Sequence, residues 1–401
     1  MPRNRFIEHP SQMEPLLPED RDGRLAGLAL EVIRGAERLR GMLHPVTRAA
    51  VVDLVRSMNS YYSNLIEGHR TRPADIDSAL RRRFAGNAEQ RSLQQMHWAH
   101  VETQKWMEHA LPSIEPYEIC ARDFLCSLHR EFYTRLPQEF QFSVGARGIK
   151  KPVIPGKLRE SVVTVGIHVP PAHEKLPEFL LRFAQFYGPL VNSSPGSLVA
   201  LAAAHHRLAW IHPFLDGNGR VTRLFTQAWL WKSNAAGRGL WTLARGYARK
   251  QFDYKAMLAR ADERRLNDFD GRGALSERRL AEFCEFTLQT AIDQTTFMAE
   301  LLELDGVEQR IAAFGRRIET EGKVPEASSS ILREVFLRGE ITRGEVAKLG
   351  GVSPRTAQKI TNAILDLGLV SSASPKGALR FAIPSSAAAS YFPNLFPAGA
   401  E

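Results

Sequence analysis

The sequence predicts a mainly α-helical fold with one short β-hairpin and a small C-terminal module of helices and two strands. Three observations carry that expectation. Apolar residues recur at helical spacing along much of the chain, as in Val51, Leu54, Val55, Met58 and Tyr62. Between Gly145 and Pro171 the pattern changes to β-branched residues set among glycines and prolines. After Ser330 come the caps and breakers of three short helices, followed by two short apolar runs.

The chain has 401 residues, 44% hydrophobic and 24% charged, an ordinary globular composition with room for two or three domains. Cys120, Cys126 and Cys284 are scattered and odd in number, which reads as reduced core residues of a cytoplasmic protein. Residues 1–20 carry charges and prolines rather than an apolar run, and no later stretch approaches a spanning length. Neither a secretory leader nor a membrane partner is expected. A formal charge of +9 favours contact with polyanions, nucleotide or nucleic acid alike.

Taken in order, residues 1–45 form an extension with a helical signal over 25–43. The helix that begins at Val46 ends in Ser63-Asn64-Leu65-Ile66-Glu67-Gly68, where Gly68 is a natural stop and Glu67 reads as a solvent residue. Residues 71–140 read as further helices. His97 and His100 lie three apart there, without a third ligand at metal-binding spacing. Val153-Ile154 and Val162 to Val165 are expected to be the two strands of the hairpin. Leu198 to Trp210 is an alanine- and leucine-rich buried helix that the His212-Pro213 pair should end, because a residue before proline is pushed out of the helical region. Arg220 to Trp231 is the next helix. Tyr247 and Tyr254 lie at helical spacing in the region after it, and 275–304 is helical again. Residues 321–330 turn polar and read as a linker. Thr342-Arg343-Gly344-Glu345 is a capping box, Gly350-Gly351 a turn, Ser353-Pro354 a third helix start, and two strands follow at 369–370 and 379–383. The alanine- and serine-rich tail, 385–401, is expected to pack loosely.

The chemistry concentrates in His212-Pro213-Phe214-Leu215-Asp216-Gly217-Asn218-Gly219-Arg220-Val221-Thr222-Arg223. Gly217 and Gly219 permit positive φ and close approach of a ligand, and amides at a helix start attract phosphate oxygens. Arg220 and Arg223, three apart, share a helix face and can reach one polyphosphate. Asp216 is a lone carboxylate suited to a magnesium ion that keeps most of its waters. His212 is the one group of the run that ordinarily titrates near neutrality, hence the candidate general base. Phe214 reads as an apolar anchor. Alone, each piece is an ordinary turn, cap or loop residue, and the run is neither a Walker loop nor a dinucleotide fingerprint.

Taken together, these twelve residues closely resemble the signature of the Fic family: His, any, Phe, any, Asp or Glu, Gly-Asn-Gly-Arg, two residues, Arg. The resemblance implies transfer of AMP from ATP onto a Ser, Thr or Tyr hydroxyl of a protein target, with Mg2+ as cofactor. By this mapping His212 takes the proton from the target hydroxyl and Asp216 holds the metal. The amides of Gly217, Asn218 and Gly219 cradle the α- and β-phosphates, and Arg220 and Arg223 clamp the outer ones. Ser63-Asn64-Leu65-Ile66-Glu67-Gly68 resembles the family's inhibitory helix, in which the glutamate pairs with the second motif arginine; here that implies Glu67 on Arg223, with Ser63 opening the motif. Gly156 to Pro171, including Arg159, resembles the flap that holds the target by strand addition. Tyr254 falls where relatives place residues around the adenine, although its spacing equally fits a core residue.

On this reading the domains are an extension (1–45), a Fic-type helical core (46–320) with inhibitory helix (63–68), flap (156–171) and motif (212–223), a linker (321–330), a module resembling a winged helix-turn-helix (331–384), and a tail (385–401). Arg355, Thr356 and Lys359 are its candidate DNA contacts, with Gln358 beside them and Lys376 and Arg380 on the wing. This fold serves both DNA binding and docking. The candidate partners are a protein target, with the chain itself as one candidate, DNA through the C-terminal module, and a second copy in a homodimer. The competing functions are a nucleotide-sensing DNA-binding regulator, and a core that removes AMP or transfers another phosphate-linked group.

Overall fold

The computed structural model describes residues 7–145 and 148–397. The helical core comprises α1 (Arg24–Arg40), α2 (Pro45–Ile66), α3 (Pro73–Leu80), α4 (Ala88–Ala110) and α5 (Arg122–Tyr133), then a hairpin of β1 (Phe142–Val144) and β2 (Lys150–Pro152). After it come α6 (Leu176–Tyr187), α7 (Pro195–Ile211), α8 (Asn218–Lys232), α9 (Leu243–Arg249), α10 (Gln251–Ala261), α11 (Glu277–Leu301) and α12 (Leu304–Thr320). The C-terminal part holds α13 (Ser328–Arg338), β3 (Glu340–Ile341), α14 (Glu345–Gly350), α15 (Pro354–Asp366), β4 (Val370–Ser371), β5 (Leu379–Phe381) and α16 (Ser385–Tyr391). Among the described residues no helix is long and apolar enough to cross a membrane.

The central element is α7. Its alanines, Ala200 and Ala202 to Ala204, are buried together with Leu198, Leu201, Leu208 and Trp210, so this helix is covered on nearly all sides. Small side chains let α1, α6, α8 and α11 pack against it at close range. Ser194 caps its start by accepting the Ser197 N–H. It ends where Pro213 requires: His212 sits in the left-handed region at φ 51 and ψ 60. Gly217, at φ 81, then turns the chain into α8. The segment between these two turns is the motif loop, held between two buried helices.

The N-terminal extension is tied into the core. Met13 is buried, the Arg207 guanidinium donates to the Pro15 carbonyl (2.8 Å), and the Tyr187 hydroxyl donates to that of Leu16 (2.5 Å).

Four expectations are corrected. The hairpin pairs Phe142 with Pro152, Ser143 with Lys151 and Val144 with Lys150, earlier in the chain than the β-branched runs suggest. Val153 is instead a buried core residue, and 156–171 forms an irregular loop with one isolated bridge, Val165 to His168. Its shape is set by Arg159, whose backbone N–H donates to the Pro213 carbonyl (2.9 Å), a tether outside any strand ladder. The expected linker at 321–330 is shorter than its composition suggests: α13 starts at Ser328, and Gly315 lies so close to Ser329 that α12 and α13 pack as a pair. The two strands expected at 369–370 and 379–383 are joined by a third, in a sheet ordered β3-β5-β4. The tail is docked, not loose. It forms α16, Tyr391, Phe392 and Leu395 are buried, and the Tyr62 hydroxyl donates to the Leu395 carbonyl (3.0 Å), because its aromatic and leucine side chains outweigh its small-residue composition.

Candidate active site

Three elements converge on the motif loop: the C-terminal end of α2, the C-terminal half of α5, and the N-terminus of α8. From α2, Ser63 is fully buried and Glu67 is the C-cap residue, with Gly68 at φ 91 closing the helix. From α8, Arg223 reaches back across the gap. Its Nε donates to Ser63 Oγ (2.9 Å), and its Nη2 donates to the Ser63 carbonyl (3.0 Å) and to Glu67 Oε1 (2.6 Å). The Glu67 side chain keeps about a third of its exposure while that of Arg223 is almost fully buried (34% against 4%), so the pair is closed from below and open from above. Burial opposes ionisation of Glu67, but the Arg223 and Arg220 guanidiniums and Lys255 outweigh it and hold its carboxyl below the usual range.

The carboxylate sits directly on the turn that starts α8. A side chain at Gly219 would overlap Glu67 Oε1, and would also press on Arg223. Val221 is the first residue of α8 to donate back to the turn, to the Gly217 carbonyl (3.0 Å), which leaves the amides of Asn218, Gly219 and Arg220 as helix-start donors. The Gly217 amide differs from expectation: it donates to Asp216 Oδ1 (2.7 Å), so it is engaged by its neighbour's carboxylate. The Asn218 side chain does not face a ligand either. It bonds reciprocally to the Phe214 backbone, accepting its N–H (2.9 Å) and donating to its carbonyl (2.8 Å), and so braces the loop.

Arg220 is buried beside Met96 and over the Phe132 ring, and its Nε has no partner among the described residues. Its contact with Asp216 Oδ2 is loose, at 3.9 Å. Two guanidiniums at one helix start, one of them underpartnered, make a built anion site. Asp216 presents a 42% exposed carboxylate at its edge, and among the described residues no cluster of three metal-ligating groups exists. One exposed carboxylate beside two guanidiniums could hold a magnesium ion bound mainly through water and phosphate.

His212 is partly exposed at the mouth of the loop. Its Nδ1 lies 3.3 Å from the Ala209 carbonyl, which can only accept, so Nδ1 carries the proton and the Nε2 lone pair is free. Burial pushes its pKa down to about 4, partly offset by that same carbonyl, so the ring is neutral at physiological pH.

Sequence reasoning missed the loop's foundation. His129 on α5 is stacked between Tyr133 (4.3 Å) and Phe214 (4.1 Å), each within about 15° of parallel. Its Nδ1 accepts the Gly156 N–H (2.8 Å), so its Nε2–H points at the Asp216 carbonyl (3.3 Å). Arg159 clamps the other end, donating to the carbonyls of His212 (2.8 Å) and Pro171 (2.5 Å). A buried amphipathic helix face was the only signal for His129. Tyr254 is corrected: it is 3% exposed, stacked on Tyr247 (4.2 Å) and hydrogen-bonded to His205 (2.8 Å), so it belongs to the core and offers no open ring to an adenine. At the far end of the chain, Arg355 and Lys359 are exposed on α15, whereas Thr356 is partly covered and its hydroxyl meets Ser353 Oγ (3.0 Å).

Residues 119–230, from just before α5 through most of α8, match the model of the Fic/DOC family. The chain is 30% identical over 173 residues to protein adenylyltransferase Fic of Drosophila willistoni, covering 43% of this chain and 31% of that protein. It is 38% identical over 82 residues to the namesake in Drosophila ananassae, covering 20% and 16%. The chain thus spans a third or less of the length of these curated relatives. In overall fold it is similar to a Fic family protein from Desulfovibrio desulfuricans G20, with a TM-score of 0.51 at 17% identity, covering 91% of this chain and 98% of that one.

The buried imidazoles are expected to make the fold acid-labile. His97 and His205 are pushed to about 3 and His129 and His212 to about 4, by burial in each case, against an ordinary 6.5. Between those values the unfolded chain binds protons that the folded chain does not, so stability falls as pH falls from 6.5 toward 4, by up to ~1.4 kcal/mol per group per pH unit. Urea titrations at pH 7.5, 6 and 5 are expected to show a progressive loss of unfolding free energy.

Proposed function

We propose that the protein transfers AMP from ATP to a Ser, Thr or Tyr hydroxyl of a protein, and that Glu67 restrains this activity. The observation that supports the reading is the Glu67 carboxylate lying over Gly219 and paired to Arg223, a position we assign to a nucleotide's terminal phosphate when Glu67 is displaced. A carboxylate there withdraws a phosphate-binding guanidinium and repels an incoming polyanion. With Glu67 displaced, ATP would enter with its phosphates on the amides of Asn218 and Gly219 and between Arg220 and Arg223. Asp216 would hold magnesium, which when bound neutralises charge on the phosphates. His212 Nε2 takes the proton of the target hydroxyl as its oxygen forms a bond to the α-phosphorus. The bond from that phosphorus to the bridging oxygen breaks, and pyrophosphate leaves. Positioning and charge neutralisation supply most of the acceleration; the base contributes the proton step. The exposed apolar residues Val162, Val165 and Ile167, on the loop that Arg159 ties to the motif, are the surface proposed to hold the target.

A second reading is favoured by one further observation. The exposed face of α15 carries Arg355, Gln358, Lys359 and Asn362, preceded by α14 and a turn at Gly351. These groups could meet duplex DNA, whereas Arg380 is already paired with Glu340 (2.8 Å).

Glu67→Gly incubated with ATP and magnesium is expected to gain an AMP mass adduct, on itself or on an added lysate protein, faster than the native chain. Adding His212→Ala should lower the rate by roughly 10²–10⁴-fold. Equal rates for Glu67→Gly and the native chain would remove the restraint from the account. For the second reading, Arg355→Ala with Lys359→Ala should weaken retention of a DNA duplex and reduce the logarithmic salt slope by about two. An unchanged slope would exclude that face.

A further inference from the structure

One polar group of the site has no task in this chemistry. Tyr133, the last residue of α5, is fully buried, and its hydroxyl makes no hydrogen bond of normal geometry among the described residues, although the Asp216 carboxylate and the Arg220 guanidinium lie beside it. That hydroxyl fills the place of the side chain Gly217 lacks: a Cβ built there would lie 2.8 Å from the oxygen and 2.5 Å from ring carbon Cε2. The neighbouring Arg220 Nε is buried and unpartnered as well. Both flank the first turn of α8, where the helix-start amides open. Buried polar groups are normally satisfied, and one that is not commonly awaits a ligand. Guanidinium and helix-start N–H groups only donate and a phenol can donate as well, so the partner all of them can share is an anionic acceptor, a role that Asp216 fills only loosely at 3.9 Å from Arg220. Stacking on His129 fixes the ring and thereby the hydroxyl's aim.

We propose that the Tyr133 hydroxyl is a phosphate ligand, donating a hydrogen bond to a non-bridging oxygen of the nucleotide held at the start of α8. This rests on the nucleotide-binding reading. The test compares Glu67→Gly with Glu67→Gly/Tyr133→Phe by calorimetric ATP titration, with magnesium and separately with excess EDTA, and by thermal melting without nucleotide. The phenylalanine is expected to weaken ATP binding roughly tenfold or more in both conditions, as for loss of a hydrogen bond to a charged group. The melting temperature should hold or rise, because an unmatched hydroxyl has been removed. Equal ATP affinity overturns the proposal. A loss seen only with magnesium overturns it too, since the hydroxyl would then act through Asp216, and so does a lowered melting temperature. If Glu67→Gly itself fails to bind ATP, the nucleotide reading fails first, which separates the two.

An independent set of contacts concerns the docked tail. Tyr62 immediately precedes Ser63, and its hydroxyl donates to the Leu395 carbonyl; Tyr61 meets Phe396 edge-on at 5.4 Å. Arg245 donates to the Asn394 carbonyl (2.8 Å), and Asp77 accepts from the Ser385 hydroxyl (3.0 Å) at the start of α16. At its other end α2 is held by Thr47, which donates to the Phe336 carbonyl (2.7 Å). The helix that presents Glu67 is therefore strapped along its length by the C-terminal part of the chain. We infer that residues 385–397 are a latch that keeps Glu67 on Arg223, and that releasing it raises the activity proposed above. In the full chain, Leu395→Ala/Phe396→Ala is expected to raise AMP incorporation about fivefold or more, and Asp77→Ala, which spares the core, to raise it less. In a Glu67→Gly background neither should add anything. No gain from either variant overturns the latch, as does an equal gain in both backgrounds. A Glu67→Gly chain no faster than native sinks the restraint itself and leaves the latch nothing to hold.

Discussion

A buried guanidinium is the constraint on which this structure turns. Arg223 is nearly sealed inside the helical core, where an uncompensated charge would cost several kcal/mol, so the fold must supply it with acceptors. It does so from one place, the end of α2, through the Ser63 hydroxyl, the Ser63 carbonyl and the Glu67 carboxylate. Two of these are neutral and permanent. The third is anionic and partly open to solvent, which makes it the replaceable member of the set. An incoming phosphate could take its place without leaving the arginine bare.

The loop that would use this switch is held from several directions. Pro213 and Gly217 force its two turns, the side chain of Asn218 bonds both backbone groups of Phe214, and the Tyr133–His129–Phe214 stack supports it from beneath. Arg159 binds the carbonyl of His212 itself. Such multiple bracing is what keeps a non-glycine residue at positive φ and an imidazole in a fixed tautomer, and it limits how far the loop must reorganise if a ligand enters.

Much of this was legible in the chain. The helix break at His212-Pro213, the turn at Gly217, and the approach of Glu67 and Ser63 to Arg223 each follow from residue types whose local physics or shared pattern is distinctive. The foundations were not. His129 and Tyr133 lie on an ordinary amphipathic helix, and only tertiary packing decides that their rings face the loop. The hairpin was misplaced because β-branched residues fit a tethered loop as readily as a strand, and Val153 was needed in the core. Tyr254 lay in a plausible region but is buried on Tyr247 and His205. The tail misled by its alanines and serines, when Tyr391, Phe392 and Leu395 decide its docking.

The C-terminal part thus covers the helix that carries Glu67, which links distant segments of sequence through α2. The central claim is that the Glu67 carboxylate and the outer phosphates of a nucleotide compete for one arginine. The most direct measurement is a calorimetric comparison of ATP and AMP binding to the native chain and to Glu67→Gly. Glu67→Gly should bind ATP much more tightly than the native chain while AMP affinity changes little. Equal tightening for both nucleotides, or no change for ATP, would contradict it.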